Sequence, residues 1–185
     1  NDLNKFVFSA MGWDPDRNLE AFVKEYARVF FAYQLESSSP NHEEPNRKAP
    51  RREELDRLTA KIAAAIFLLE DNWTQAIDQS TSPRQALKEW KEIATLLGGP
   101  EQVRNNWRLE LFLTKAFIDA QVKRKYDAEM RLEREAYEAL RRAPATGVQI
   151  AIAQAQASLQ RIETEFPARA ELLAELKALG TSGGY

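Results

Sequence analysis

Apolar residues recur at intervals of three and four along most of this 185-residue chain, and this spacing limits the possible folds more than any other feature. The clearest run steps by 3, 4, 4, 3, 4 and 4 through Leu55, Leu58, Ile62, Ile66, Leu69, Trp73 and Ile77. An α-helix returns to the same face every 3.6 residues, whereas a strand returns every second residue. Because no stretch of comparable length alternates with a period of two, the sequence predicts an all-α fold.

Start and stop signals divide this pattern into six to seven helices, which we expect to form a bundle. The longest helix is predicted over about 101–142 and is expected to pair with a helix over about 146–166. The second of these carries an apolar residue every four or three positions, namely Val148, Ile152, Ala155, Leu159, Ile162 and Phe166. That spacing is typical of two antiparallel helices packed along a seam.

One apolar stripe runs along the predicted long helix at spacings of three or four. It consists of Val103, Trp107, Leu111, Thr114, Ile118, Val122, Tyr126 and Met130. Trp73, Trp90 and Trp107 all lie on apolar stripes of their predicted helices. We therefore expect these three indoles to pack in the core rather than to stack on sugars.

Composition shifts indicate a single helical domain over residues 1–179. The segment 36–52 contains three prolines and almost no apolar residue, so we expect a mobile surface loop there. Residues 180–185, rich in Gly and Ser, are predicted to form a flexible tail. Since the chain begins at Asn1 rather than Met, we expect it to be part of a longer protein.

The residue counts argue against several classes of chemistry. The chain has no Cys and one His, which excludes thiol nucleophiles, Cys-ligated zinc and sites that need two imidazoles. Its 26 Lys and Arg balance 28 Asp and Glu, so bulk charge does not favour nucleic-acid binding. No apolar run reaches the length of a membrane span. We predict no nucleic-acid partner, no membrane span, no metal and no cofactor.

The remaining candidates for catalysis have simpler interpretations. His42 lies in the Pro-rich segment, where we expect a solvated side chain without the fixed geometry that acid–base catalysis needs. Asp14 and Asp16 flank Pro15 at a predicted helix start, where carboxylates cap free N–H groups. No catalytic residue is therefore predicted in this chain. Trp13, which is outside any regular stripe, is the freest candidate for sugar stacking, although we expect it to pack against Phe30 or Phe31.

Several blocks of sequence resemble the C-terminal helical region of large bacterial glycoside-hydrolase-like proteins. They are residues 1–16, which include Asn1-Asp2-Leu3-Asn4-Lys5 and Gly12-Trp13-Asp14-Pro15-Asp16, and residues 26–31, 68–73, 106–108 and 116–124. The resemblance covers most of residues 1–140 and fades beyond them. In such proteins the helical region follows a (β/α) barrel that carries the active site.

This resemblance implies a non-catalytic accessory or structural domain that packs against a catalytic barrel of the same parent chain. Carbohydrate would then be reached through the parent. Asp2, Asn4 and Lys5 would lie at the rim of the parent active site, although a helix cap and polar first turn are the simpler explanation of these residues. Localisation stays open, with export of the bacterial parent to the periplasm or the medium as one alternative.

Two further functions stay open. The charged long helix and the stripe from Val148 to Phe166 suggest a helical protein–protein interaction module. An exposed Trp13 with neighbouring aromatics would suggest a carbohydrate-binding module.

Overall fold

Helices account for the secondary structure of the part of the chain that the computed structural model describes, which is residues 2–16, 18–32, 52–72, 74 and 76–182. No strand occurs in these ranges, so the predicted all-α fold is confirmed. Seven of their helices have nine or more residues, and two are shorter. The predictions for His42, Trp73 and the loop 36–51 lie outside the described residues.

The first two helices form one edge of the fold. Helix α1 spans Asp2–Trp13, and α2 spans Leu19–Ala27 and continues as a π-helical turn over Arg28–Ala32. Asn18 caps α2, because its side-chain Oδ1 accepts a hydrogen bond from the N–H of Glu20 at 2.7 Å.

Helices α3 and α4 follow as an antiparallel pair. Helix α3 spans Arg52–Asp71 and α4 spans Ser82–Leu96. Helix α3 ends before Ile77 of the predicted apolar run, and Thr74 Oγ1 donates to the carbonyl and carboxylate of its last residue, Asp71. Ser82 is the first residue of α4, and its Oγ donates to Asn72.

The predicted long helix is divided in two. Helix α5 spans Pro100–Asn105 and α6 spans Trp107–Arg141, with Asn106 extended between them at φ −123° and ψ 94°. Asn106 accepts hydrogen bonds from the N–H groups of Arg108 and Leu109 and donates to the carbonyl of Phe30 at 3.3 Å. The break therefore serves as the N-cap of α6 and ties it to α2.

Three helices complete the chain. They are α7 over Ala143–Thr146, α8 over Val148–Glu165 and α9 over Arg169–Ala178. Gly147, with φ of 91°, turns the chain so that α8 runs back along α6, as the predicted pairing requires. Residues 180–182 of the predicted tail pack on the body, where a Cβ on Gly180 would lie 2.3 Å from the carbonyl oxygen of Pro100.

The core lies where α2, α3, α4 and the first half of α6 meet. The Trp90 indole is fully buried and stacks on the Phe112 ring at 4.8 Å between centroids, with Phe31 against both. Its Nε1 donates to the carbonyl of Ala65 at 3.3 Å. The prediction that Trp90 packs in the core is confirmed.

The second half of α6 and α8 form a two-helix projection, called here the arm (residues 127–141 and 148–165). Its buried seam is narrow and consists of Leu132, Ala136, Ala151 and Ala155. Four charged side chains bridge the two helices beside this seam. Glu135 and Glu165 are each bonded to both Arg131 and Arg161.

Candidate functional site

The residues proposed for the rim of a parent active site lie on α1. Asn4 and Lys5 are exposed there, and the helix begins at Asp2. Neither of the two grooves described below is lined by Asn4 or Lys5. Their proposed role therefore stays a prediction that depends on a partner surface.

Trp13 is 90% exposed, so the expectation that it packs against Phe30 or Phe31 is wrong. Phe6 packs there instead, with its ring centroid 5.5 Å from that of Tyr26 and 6.2 Å from that of Phe30. Trp13 lies seven residues further along the same face of α1, about 10 Å beyond this contact. The indole is left in solvent on a helix that also exposes Phe8.

The apolar stripe predicted on the long helix lies mainly on the surface. We call its exposed part over residues 107–122 the α6 stripe, which consists of Trp107 (50% exposed), Leu111 (39%), Ile118 (51%) and Val122 (50%). The expectation that Trp107 packs in the core is wrong. The guanidinium of Arg108 lies over its ring instead, with Cζ 4.3 Å from the ring centroid.

A second apolar stripe on α6 faces the core. It consists of Leu109, Phe112, Leu113, Ala116, Phe117 and Ala120, all of them buried. These positions are also spaced by three and four, and that spacing was the signal that could have identified the true core face. Helix α6 is therefore apolar on two opposite sides over residues 107–122, a pattern typical of a helix covered on both sides.

A groove of about 680 Å³ lies between the α6 stripe and the segment that connects α3 with α4. It is lined by Asn72, Ile77, Ser80, Pro83, Leu111, Thr114, Lys115, Ile118, Asp119 and Val122. We call it groove A. Its volume falls in the range of about 300–1,000 Å³ that is typical of ligand pockets.

Hydrogen-bonded polar side chains close one end of groove A. Asn72 Nδ2 and Lys115 Nζ both donate to Asp119 Oδ2 at 2.9 Å, and Ser82 Oγ donates to Asn72 Oδ1 at 2.5 Å. These groups satisfy one another and fix the connecting segment to α6. The rest of the groove presents mainly carbon atoms.

A second groove, groove B, lies on the other side of the α6 stripe against α9 and has a volume of about 330 Å³. It is lined by Thr114, Phe117, Ile118, Gln121, Val122, Lys125, Phe166, Arg169, Leu172, Leu173 and Leu176. Lys125 and Arg169 place two cations at its edge. Thr114, Ile118 and Val122 line both grooves and separate them.

Two polar atoms beside the grooves lack hydrogen-bond partners. They are Thr114 Oγ1 and Gln121 Oε1, both inaccessible to solvent. A buried polar atom without a partner costs about 1–3 kcal/mol. The cost is concentrated where the two grooves meet.

The perturbed pKa values of the described residues belong to ion pairs away from both grooves. Lys61 on α3 donates to Glu89 at 2.6 Å and to Glu92 at 2.9 Å on α4, and these bonds raise the pKa of Lys61 above its usual value. In the arm, the pKa of Glu165 lies below its usual value, chiefly through its hydrogen bond from Arg161. These pairs join helices to each other and do not line either groove.

Two searches of the described residues bear on other kinds of site. Among residues 2–16, 18–32, 52–72, 74 and 76–182 no group of three or more His, Cys, Asp and Glu side chains is placed to hold a metal. Within the same ranges, no helix has both the length and the apolar character needed to cross a membrane.

Comparison of the chain with protein-family models, with curated proteins and with solved structures finds no match in any of the three. The link to glycoside-hydrolase-like proteins therefore stays a prediction from the quoted sequence blocks.

Proposed function

We propose that this chain is a non-catalytic helical domain that binds another protein surface through the α6 stripe and its two grooves. One observation carries the proposal. A helix at the centre of the fold exposes four large apolar side chains opposite its core face, and a groove lies on each side of them.

The energetics favour covering this surface. Burying a fully exposed apolar side chain is worth about 1.5–3 kcal/mol, and the four side chains of the α6 stripe, which are already about half buried, would each gain about half of that. The grooves on either side suit a partner helix that places residues at i, i+3 or i+4, and i+7 into them.

The charge at groove B indicates which residues should flank the apolar stripe of such a partner helix. Lys125 and Arg169 lie at its edge, and Arg169 starts α9. A partner helix with acidic residues beside its apolar stripe would meet these cations, which favours it over a basic helix of the same shape. Titration with two synthetic helices that share one leucine stripe but differ in flanking Glu or Lys would measure this preference.

The resemblance described above suggests a more specific partner. In that form of the proposal the domain is an accessory part of a bacterial glycoside-hydrolase-like protein and packs against its catalytic barrel. Exposed Phe8 and Trp13 on α1 would add to the contact, with Asn4 and Lys5 nearby. The resemblance alone supports this finer assignment.

The test is binding by three versions of the chain. Wild type, Ile118→Gln and the control Leu96→Gln would be used as bait, and each recovered partner would be purified and rebound. Leu96 is 59% exposed on α4 and lines neither groove. We expect Ile118→Gln to weaken binding at least about tenfold and Leu96→Gln to leave it unchanged. Equal binding by all three versions would contradict the proposal.

The identity of the rebound partner tests the finer form. A partner that contains a catalytic barrel and hydrolyses glycosides would support it. Turnover of a glycoside by the isolated chain would contradict the non-catalytic assignment.

One observation favours carbohydrate binding as a second candidate. Trp13 presents an almost fully exposed indole, the group on which sugars stack. Calorimetry of wild type and Trp13→Ala against a panel of polysaccharides tests it. Heat of binding that Trp13→Ala abolishes is the expected result for this candidate, and no heat with wild type excludes it.

A further inference from the structure

The arm has two unlike faces on either side of its seam. At about 100° per residue around α8, Arg161 and Glu165 lie about 40–80° from Ala151 on one side of the seam. Val148, Ile152 and Leu159 lie about 60–100° to the other side. Because α6 and α8 are antiparallel, Leu140 of α6 falls on the same side as these three. We call Leu140, Val148, Ile152 and Leu159 the arm face.

The ionic side of the arm is already satisfied within the chain. Arg131 and Arg161 alternate with Glu135 and Glu165 in a closed ring of ion pairs, three of which measure 2.6, 2.7 and 3.1 Å. The four side chains of the arm face are left in contact with water instead, because 38–62% of each remains exposed.

Most of the α8 sequence that forms the arm face is free of charge, and its first acid is Glu163 beyond the Leu159 end. Residues 143–160 contain no Asp, Glu, Lys or Arg, although 29% of the whole chain is charged. An exposed helix normally carries charges on its outer side. On α8 the outer border of the arm face is formed by Gln149, Gln156 and Gln160 instead, and all three are exposed.

We propose that the arm face binds the arm face of a second copy of this chain, so that two arms form a four-helix bundle around a two-fold axis. Over residues 143–160 the chain carries no charge that would repel a second copy, and the Gln border of α8 can donate and accept hydrogen bonds across the axis. Two acids, Glu133 on α6 and Glu163 on α8, border the face at its Leu159 end, and Arg141 borders it at its Leu140 end. An antiparallel arrangement of the two arms places the acids of one copy near Arg141 of the other.

The dimensions of the arm set the strength of this contact. Helix α8 is about 27 Å long, and two helices side by side are about 20 Å wide. That outline covers about 540 Å², which is below the about 800 Å² of accessible surface per partner that is typical of a specific, stable interface. We therefore expect a reversible dimer with a micromolar dissociation constant. It uses other side chains than the α6 stripe, so it stands independently of the proposed function.

The primary test is sedimentation equilibrium of the whole chain as wild type, as the double variant Ile152→Gln/Leu159→Gln, and as the control Ile150→Gln. Ile150 lies on the same helix and is 55% exposed, but it points to the ionic side of the seam. We expect the double variant to weaken the dimer at least about tenfold and the control to leave it unchanged. A wild-type monomer at about 1 mM, or equal weakening by the control, would overturn the proposal.

A second measurement locates the contact without changing the arm face. Because the chain has no Cys, one nitroxide label can be placed at Gln156→Cys or at Gln154→Cys, both exposed positions of α8. Gln156 borders the arm face and Gln154 lies on the ionic side. The distance between labels in the dimer is expected to be shorter for Gln156→Cys. A shorter distance for Gln154→Cys would place the interface on the wrong side and overturn the proposal.

The variant Ile118→Gln separates this contact from the α6 stripe. Its dimer dissociation constant is expected to equal that of wild type.

Discussion

The two halves of α6 belong to differently built regions. In the first half, α6 packs large side chains such as Phe112 and Leu113 into an aromatic core with Trp90. In the second half, it meets α8 through Leu132 and three alanines, with ion pairs at the side. A single helix thus links a region that buries bulky residues to one that buries mostly methyl groups.

This difference separates a region that is stabilised by contacts within the chain from a region that exposes apolar surface to partners. Large buried rings exclude water without help, whereas an alanine seam leaves the flanking apolar residues exposed. The arm should therefore open more easily than the core and gain more from a partner. The predictions below test this contrast, from the largest expected effect to the smallest.

Replacing the central indole tests the core. Trp90→Ala is expected to lower the free energy of unfolding by about 3–5 kcal/mol, because it removes a fully buried ring and its stacking on Phe112. Trp13→Ala is the matched control and should change it by less than about 0.5 kcal/mol, since that ring is in solvent. Urea unfolding measures both, and similar losses would contradict the assigned core.

Replacing the one large residue of the seam tests the arm. Leu132→Ala is expected to cost about 2–4 kcal/mol, mostly as easier opening of α8. Hydrogen exchange should show loss of protection in α8 with α4 nearly unchanged. The control Leu140→Ala removes a half-exposed leucine at the penultimate position of α6 and should cost much less. Equal loss of protection in α4 and α8 would mean that arm and core unfold together.

Removing the cap at the start of α6 tests the link between core helices. Asn106→Ala is expected to cost about 1 kcal/mol, because it leaves two N–H groups of α6 and the carbonyl of Phe30 without their partner. Asn105→Ala, one residue earlier and exposed, is the control. In thermal unfolding, the midpoint temperature should fall further for Asn106→Ala than for Asn105→Ala.

Acidification gives the smallest expected effect and should act on the arm. The pKa of Glu165 is lowered by Arg161 in the folded state, so its stabilisation is present above the ordinary carboxyl pKa of about 4.3. It is lost as the pH falls through the lower, folded pKa. Exchange protection of α8, corrected for intrinsic rates, should therefore decline with acid in wild type.

Two carboxylate variants separate the ion-pair ring from general acid effects. Glu165→Gln should weaken α8 at neutral pH and reduce the further loss in acid. Glu163→Gln removes a carboxylate of the same helix that is outside the ring, and should behave like wild type. Identical acid profiles for the two variants would argue against the ring as the cause.

The fold was predictable from local sequence to a large extent. Apolar spacing and helix start and stop signals were enough for the all-α class and for the pairing of α6 with α8. The seam itself was not predictable, because Val148, Ile152 and Leu159 of the predicted stripe are exposed and Ala151 and Ala155 are buried instead. The break at Asn106 was not, since it depends partly on a hydrogen bond to Phe30, 76 residues earlier. The apolar spacing over residues 101–142 fits one helix, but the contact of Asn106 with Phe30 divides it into two.

The candidate site was harder to predict for a different reason. Over residues 107–122 two apolar stripes run along opposite sides of α6, and periodicity cannot say which of them faces the core. The spacing therefore predicts a core position for Trp107, although the structure exposes it, with Ile118 on the same stripe also exposed. The orientation is set by the packing of Leu109 and Leu113 against the other helices, which only the tertiary structure contains.

The most direct test of the contrast between core and arm is hydrogen exchange with mass spectrometry on dilute, monomeric wild-type protein. Peptides from α8 are expected to exchange through openings of lower free energy than peptides from α4, and to gain protection as the protein concentration rises. Peptides from α4 should be independent of concentration. If α4 and α8 instead exchange together at every concentration, arm and core form one cooperative unit, and the contrast proposed between them is wrong.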